Sequence, residues 1–235
     1  MDAPRCHPYA SGRFTSPDDE PLRPGGLALS RRLIALAAFP AGARVLDLGC
    51  GDGASLGLLG ERRCRPIGVD LAPRALAAAR QRYPAAAFAA ADGTRLPFAS
   101  GSLDGILAEC SLSLMTDRRR ALAECRRVLA PGAPLAVLDV CRRTAGAGSD
   151  TLPACLARMS TPDNLQEEIE QAGFVVAERQ DHSDALKAFA ARLIFANGSL
   201  AALWAPSLPA SDANAFTAAL RAARPGYFLF LAQAR

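Results

Sequence analysis

Short apolar runs alternate with longer amphipathic stretches through most of the chain. The apolar runs predict seven strands, at 44–48, 66–71, 86–91, 103–108, 135–140, 174–178 and 227–232. Apolar residues at helical spacing predict helices between them, at 27–39, 54–59, 75–82, 118–129, 162–172, 183–204 and 212–223. Strands that alternate with helices predict an α/β fold, in which helices cover both faces of a doubly wound, parallel sheet.

One junction between a strand and a helix contains three glycines at alternate positions, Gly49, Gly51 and Gly53. Glycine has no side chain, so it permits a sharp turn and lets a ligand approach the backbone. A helix that begins near Ala54 would point its free N–H groups into the same turn. The turn is therefore predicted to bind a nucleotide. Its glycines also satisfy the dinucleotide pattern GxGxxG/A, with Asp70 about 20 residues further on, so they do not by themselves identify the nucleotide.

Three carboxylates at or near the ends of successive strands indicate which nucleotide the turn binds. Asp47 lies two residues before Gly49, where it would repel a pyrophosphate but attract an ammonium group. S-adenosylmethionine (SAM) has no phosphate and carries both an ammonium and a sulfonium. Asp70 could accept hydrogen bonds from ribose hydroxyls, and Asp92 could accept one from an adenine amino group. Since the carboxyl ends of parallel strands line the ligand crevice, the three residues together favour SAM over a dinucleotide.

The same segments resemble the class I SAM-dependent methyltransferases of the broad type 11 group, which includes quinone-biosynthesis and arsenite methyltransferases. The resemblance covers about 44–140 and is carried by the segments 45–53, 68–71, 92–98 and 127–132. It implies a Rossmann-like sheet of seven strands, mostly parallel, with an antiparallel last strand. It also implies a cofactor site made of Asp47, Gly49, Cys50, Gly51, Asp70, Leu71, Asp92, Gly93 and Glu109.

The N-terminal part of the chain resembles a helix that covers the cofactor site in this family. Arg23 and the glycines after it could hold the carboxylate of SAM, although a simple surface charge would also explain Arg23. We expect one methyltransferase domain over 1–235. Within it we expect an N-terminal arm at 1–25, a SAM-binding core at 26–142 and an added helix at 183–205.

The expected reaction is transfer of a methyl group from SAM to a small-molecule acceptor, which yields S-adenosylhomocysteine (SAH). SAM is already activated, so the protein mainly positions the reactants, and a base is needed only if the acceptor must lose a proton. The candidate catalytic residues are Glu109, Cys110 and His182. A buried structural role for Cys110 and a surface or capping role for His182 stay open as alternatives.

Besides a dinucleotide oxidoreductase, which the glycine pattern and Asp70 would also suit, two other functions remain open. The segment from Glu109 resembles arsenite methyltransferases, in which a cysteine binds the metalloid, and a soft thiolate at Cys110 would suit such an acceptor. Cys6, Cys141 and Cys155 could join it, but no family pattern places them. A protein that binds SAM or SAH without catalysis is the second alternative, because an intact cofactor motif does not distinguish binding from turnover.

The composition of the chain argues against several kinds of partner and site but does not identify a substrate. The net charge is +4, and its densest arginine groups, at 118–120 and 126–127, contain no aromatic residues, so no nucleic-acid partner is expected. No apolar run reaches the roughly 18 residues that a membrane helix needs, and 1–24 lacks the apolar core of a signal peptide, so the cytoplasm is expected. The seven cysteines have no CxxC spacing, so reduced thiols and no metal site are expected. The oligomeric state is not predicted.

Overall fold

The computed structural model describes residues 23–144, 152–204 and 213–235. Seven strands form one sheet in the order β3-β2-β1-β4-β5-β7-β6. The strands are β1 (Arg44–Leu48), β2 (Arg65–Asp70), β3 (Ala87–Ala90), β4 (Gly105–Glu109), β5 (Pro134–Arg142), β6 (Phe174–Asp181) and β7 (Pro225–Ala234). Neighbouring strands are parallel except that β7 runs antiparallel to both β5 and β6. The predicted sheet, with its antiparallel last strand, is confirmed.

The helices cover both faces of this sheet. They are α1 (Gly26–Ala37), α2 (Ala54–Glu61), α3 (Pro73–Arg82), α4 (Arg118–Val128), α5 (Ala154–Ala157), α6 (Pro162–Gln171), α7 (Ser183–Asn197), α8 (Leu200–Trp204) and α9 (Ala213–Ala223), with a 3-10 turn at Leu112–Leu114. Successive strand residues point to opposite faces, so Val45 packs with α1 and α2 while Leu46 packs with α4 and α6. None of the described helices is both long enough and apolar enough to cross a membrane.

A third apolar cluster lies at the carboxyl edge of the central strands. Its buried members are Leu152, Met159, Trp204, Phe216 and Ala223. We call this group the cap cluster. Leu114, which follows β4, and Val140, near the end of β5, pack against it. The segments that contribute α5, α8 and α9 are therefore held beside the edge where an open α/β sheet binds its ligands.

Several predicted elements differ from the structure, among them β6, which ends at Asp181 rather than at the predicted residue 178. Strands β5 and β7 extend beyond the predicted 135–140 and 227–232, because they pair with each other from Pro134 to Arg142 and polar ends join the ladder through backbone groups. The single helix expected over 183–204 is two helices, because Gly198 at φ 80° ends α7. Residue 205, most of the expected arm at 1–25 and the start of the last helix at 212 lie outside the described residues.

Candidate functional site

The turn between β1 and α2 has the left-handed backbone that its glycines permit. Gly49 and Gly53 have φ values of 76° and 86°. A side-chain carbon added to Gly49 would lie 2.7 Å from Cβ of Ser111, and one added to Gly53 would lie 2.9 Å from the ring of Tyr83. The amides of Gly49 and Cys50 both donate to the carbonyl of Val69, at 2.7 and 3.0 Å. Glycine is thus required at both positions by conformation and by space.

Glu109, the last residue of β4, is the centre of a buried polar cluster. Its side chain is 2% exposed and accepts hydrogen bonds from three side chains. Ser30 donates to Oε1 at 2.7 Å, Arg23 donates to Oε2 at 2.8 Å, and Ser55 also donates to Oε2. Arg23 donates to the Ser55 hydroxyl as well, at 2.8 Å. These bonds, which we call the Glu109 cluster, tie α1, α2 and β4 together at the glycine turn.

Asp47 and Arg23 keep unused bonding capacity at this turn. Asp47 is 3% exposed, and within the described part of the chain no donor hydrogen-bonds to its carboxylate. Burial raises the pKa of Asp47 to about 8, repulsion from Glu109 adds to the rise, and attraction by Arg23 opposes it. The Nε and Nη2 atoms of Arg23 are buried without a hydrogen-bond partner among the described residues. A carboxylate and a guanidinium, both buried and both incompletely paired, could therefore hold an ammonium and a carboxylate.

The other predicted cofactor residues lie along the same edge. Asp70, at the end of β2, accepts from the amides of Gly51 and Ala72 at 2.9 and 2.8 Å. The next residue, Leu71, is an apolar side chain that is 55% exposed. Asp92 is exposed and accepts from the amide of Thr94 at 2.9 Å. Gly93 beside it leaves room for Met115, since a side-chain carbon added there would lie 2.8 Å from the methionine. Their contacts with a cofactor stay predictions.

The two cysteines among the predicted site residues have different surroundings. The side chain of Cys50 points into the core, where its sulfur would lie 2.8 Å from a carbon added to Gly68. Cys110 has a left-handed backbone at φ 53°, and its sulfur lies 3.2 Å from the hydroxyl of the fully buried Tyr227. Removal of the thiol from water raises the pKa of Cys110 to about 12, so the thiol is protonated at neutral pH.

The cysteines that could have joined Cys110 do not form a site with it in the described residues. Cys141 is fully buried, Cys6 lies outside the described residues, and the side chain of Cys155 is not described. In the described ranges no group of three His, Cys, Asp or Glu side chains could hold a metal ion.

His182 lies apart from the Glu109 cluster. It follows β6, which is separated from β4 by β5 and β7, a distance of about 14 Å across the sheet. Its Nε2 lies 2.9 Å from Oε1 of Gln180, which also accepts from Arg32 on α1 at 3.2 Å. Burial lowers the pKa of His182, and Arg32 lowers it further. His182 is therefore connected to Arg32 on the surface of α1 through Gln180. Its catalytic role stays an untested prediction.

Three serines of the site were not predicted. Ser30 and Ser55 complete the Glu109 cluster, and the hydroxyl of Ser111 is buried against Gly49 without a partner among the described residues. The sequence pattern around Ser30 did indicate that its side chain is buried and hydrogen-bonded. Ser30 lies on the same helical stripe as the buried Leu33 and Ala37, and a polar residue on an apolar stripe requires a hydrogen-bond partner.

Comparisons with known proteins show which family this chain resembles. The family described as "Methyltransferase domain" matches residues 46–137. The O-methyltransferase rstn1 of Aspergillus nomiae is 35% identical over 61% of this chain and 69% of its own. The O-methyltransferase resE of Aspergillus sclerotiorum is 33% identical over 66% of this chain and 64% of its own. The chain spans less than two thirds of the length of several of its curated relatives.

A solved structure shows the same fold over most of the chain. The [4+2]-cyclase SpnF superimposes with a TM-score of 0.71 and 25% identity, over 88% of this chain and 80% of the other. The glycine turn after β1 and the acidic residues at the ends of β2 and β4 all lie within 46–137, the range that the methyltransferase family matches. The chain belongs to the class I SAM-dependent methyltransferase family.

Proposed function

We propose that the protein transfers the methyl group of SAM to a small-molecule acceptor and releases SAH. The observation that carries the proposal is the pair formed by Asp47 and Arg23 at the glycine turn. An amino acid headgroup brings an ammonium and a carboxylate, which complement the unpaired carboxylate of Asp47 and the free Nε and Nη2 of Arg23. Bound SAM supplies a methyl group that its sulfonium has already activated.

The remaining edge residues fit the nucleoside part of the same ligand. Each carboxylate oxygen of Asp70 accepts one backbone N–H and retains a lone pair for a ribose hydroxyl. The exposed side chain of Leu71 offers an apolar surface to an adenine ring, and Asp92 beyond it offers an acceptor for the adenine amino group. Cys50 would contribute through its backbone, because its thiol is buried in the core.

The side chains at the end of β4 are suited to orienting the reactants rather than to accepting a proton from the acceptor. The carboxylate of Glu109 is already bonded to Arg23, Ser30 and Ser55. The pKa of Cys110 is raised to about 12, and burial raises the pKa of Tyr227 well above its ordinary value. Cys110 and Tyr227 therefore keep their protons at neutral pH and do not serve as bases. An acceptor whose nucleophile has its lone pair available in solution needs no base from this end of β4, where the protein would orient it and exclude water.

The metalloid alternative is less well supported than the main proposal. A metalloid acceptor needs thiolates, whereas the Cys110 thiol is protonated and faces the Tyr227 hydroxyl. Binding without methyl transfer remains the second candidate, since the matched structure SpnF is named a cyclase. Turnover of SAM to SAH with fractionated small-molecule extract separates that candidate from a methyltransferase.

The role of Arg23 in binding SAM is tested with the variant Arg23→Lys, whose affinity for SAM and SAH is measured by calorimetric titration. Lysine keeps a positive charge for Glu109 but removes the two free guanidinium N–H groups. We expect a loss of affinity of about tenfold or more, which corresponds to a hydrogen bond to a charged group. Arg31→Ala is the matched control, because Arg31 lies on α1 but pairs with the exposed Glu61. Equal SAM affinity in wild type and Arg23→Lys would remove Arg23 from the site, and binding of NADH in place of SAM would overturn the proposal.

A further inference from the structure

A second concave site lies at the carboxyl edge of the sheet, on the side of β5 and β7. It is a pocket of about 370 Å³ whose wall contains four cationic side chains and a hydroxyl, from Arg143, Lys187, Arg221, Arg224 and Ser183. These residues come from four places in the chain: the residue after β5, α7, the end of α9 and the residue before β7. Among the described residues that line it, none is acidic.

The pocket has more positive charge than its neighbours neutralise. Arg143 forms an ion pair with Asp181, and Lys187 lies 2.8 Å from Asp184. In the part of the chain that the structure describes, Arg221 and Arg224 have no acidic partner. Two positive charges are thus left over. A phosphate monoester carries a charge of about −1.5 to −2 near neutral pH, so it matches this surplus, whereas a single carboxylate would leave half of it unmatched.

The strand register locates this pocket relative to the Glu109 cluster. Leu138 of β5 pairs with Glu109, and Arg142 of β5, four residues further on, pairs with Pro225 at the pocket. At about 3.3 Å per residue the pocket lies about 13 Å beyond the level of Glu109. Tyr227 joins the two regions, since its amide donates to Ser183 of the pocket at 3.2 Å and its hydroxyl lies 3.2 Å from the sulfur of Cys110.

We propose that this pocket binds a phosphate or diphosphate ester group of the methyl acceptor, with Arg221 and Arg224 as its main contacts. Guanidinium groups match phosphate oxygens in pairs of parallel hydrogen bonds. The acceptor is then an elongated molecule, with its nucleophile near the end of β4 and its phosphate on the order of 13 Å away. The part of the proposal that concerns the acceptor rests on the proposed methyl transfer, whereas binding of the anion does not.

The test is calorimetric titration of the full chain with inorganic phosphate, pyrophosphate and acetate at constant ionic strength. Wild type is compared with the pocket variant Arg221→Ala/Arg224→Ala. The control variant is Arg62→Ala/Arg65→Ala, which removes two exposed arginines near the start of β2, at the edge of the sheet opposite to the pocket. We expect phosphate and pyrophosphate to bind to wild type and to the control, with affinity for pyrophosphate at least tenfold lower in the pocket variant. Acetate should bind too weakly to measure.

Three results would overturn the anion site: no pyrophosphate binding to wild type, equal binding to the pocket variant, or binding of acetate as strong as that of phosphate. SAM is titrated into the same samples. Unchanged SAM affinity in the pocket variant shows that it is folded and that any loss concerns the pocket. If wild type bound pyrophosphate but not SAM, the proposed function would fail while the anion site stood.

Discussion

At the scale of single residues, two buried carboxylates on neighbouring strands differ in how they are paired. Glu109 on β4 accepts from an arginine and two serines, whereas Asp47 on β1 accepts from no donor within the described residues. A buried charge without a hydrogen-bond partner is costly, so the proton stays on Asp47 up to about pH 8. An arriving ammonium group would compensate the buried charge, so we expect its binding to lower the pKa of Asp47 and to favour the carboxylate form.

This difference predicts the pH dependence of stability. The pKa of Asp47 is about 8 in the folded protein and about 3.9 in the unfolded chain. A raised pKa favours the folded state fully below the unfolded value, and the advantage is lost as pH rises through the folded value. Without cofactor, the wild type should therefore lose stability, on the order of a few kcal/mol, as pH rises from about 4 to about 8.

The measurement is urea unfolding over that pH range for wild type and Asp47→Asn. The amide has no proton to lose. The free energies of unfolding of the two proteins should therefore diverge as pH rises, because the wild type loses stability that the variant keeps. Groups that do not interact with Asp47 titrate equally in both proteins and cancel in the comparison. Parallel curves would show that Asp47 does not have the raised pKa.

At the scale of elements, the turn from β1 to α2 depends on the absence of a side chain at Gly49. Alanine there would adopt an unfavourable positive φ and would also press on Ser111. Gly42 has a similar φ of 82° but open space around it, so Gly42→Ala measures the conformational cost alone, about 1–2 kcal/mol. We expect Gly49→Ala to cost more stability than Gly42→Ala and to weaken SAM binding, which Gly42→Ala should leave unchanged.

Urea unfolding and calorimetric titration of the two variants check this expectation. If Gly49→Ala and Gly42→Ala lost equal stability and bound SAM equally, the close packing of the turn on Ser111 would not matter for the site.

The order and type of the elements could be predicted because they depend on local patterns, and the ends of strands at Asp70 and Glu109 lie within a residue of their predicted places. The Glu109 cluster could not be predicted in the same way. Its bonds join residues 79 and 86 positions apart, so only the folded sheet brings Ser30 and Arg23 to Glu109. The break at Gly198 had a local signal, since glycine commonly ends a helix.

At the scale of the whole molecule, the sheet separates two ligand regions along one edge. The glycine turn and the acidic residues lie on the side of β1 and β2, whereas the cationic pocket lies at the outer ends of β5 and β7. The cap cluster contributes Ala223 next to the pocket-lining Arg224, and Leu114 of the turn after β4 packs on it. One edge thus contains an acidic region, where we propose that SAM binds, and a cationic pocket, where we propose that the phosphate of the acceptor binds.

Because the two regions are separate, their ligands should stabilise the protein additively. A ligand at 100 times its Kd adds about 2.7 kcal/mol, and each kcal/mol raises the Tm of a protein of this size by about 2–4 °C, so each ligand should raise the Tm by roughly 5–10 °C. SAH and pyrophosphate together should give close to the sum, since sites more than about 10 Å apart rarely interact strongly. Arg23→Lys should lose mainly the SAH increment, and Arg221→Ala/Arg224→Ala mainly the pyrophosphate increment. If pyrophosphate abolished the SAH increment instead, the two ligands would share one site, and the separation of cofactor and acceptor along this edge would be wrong.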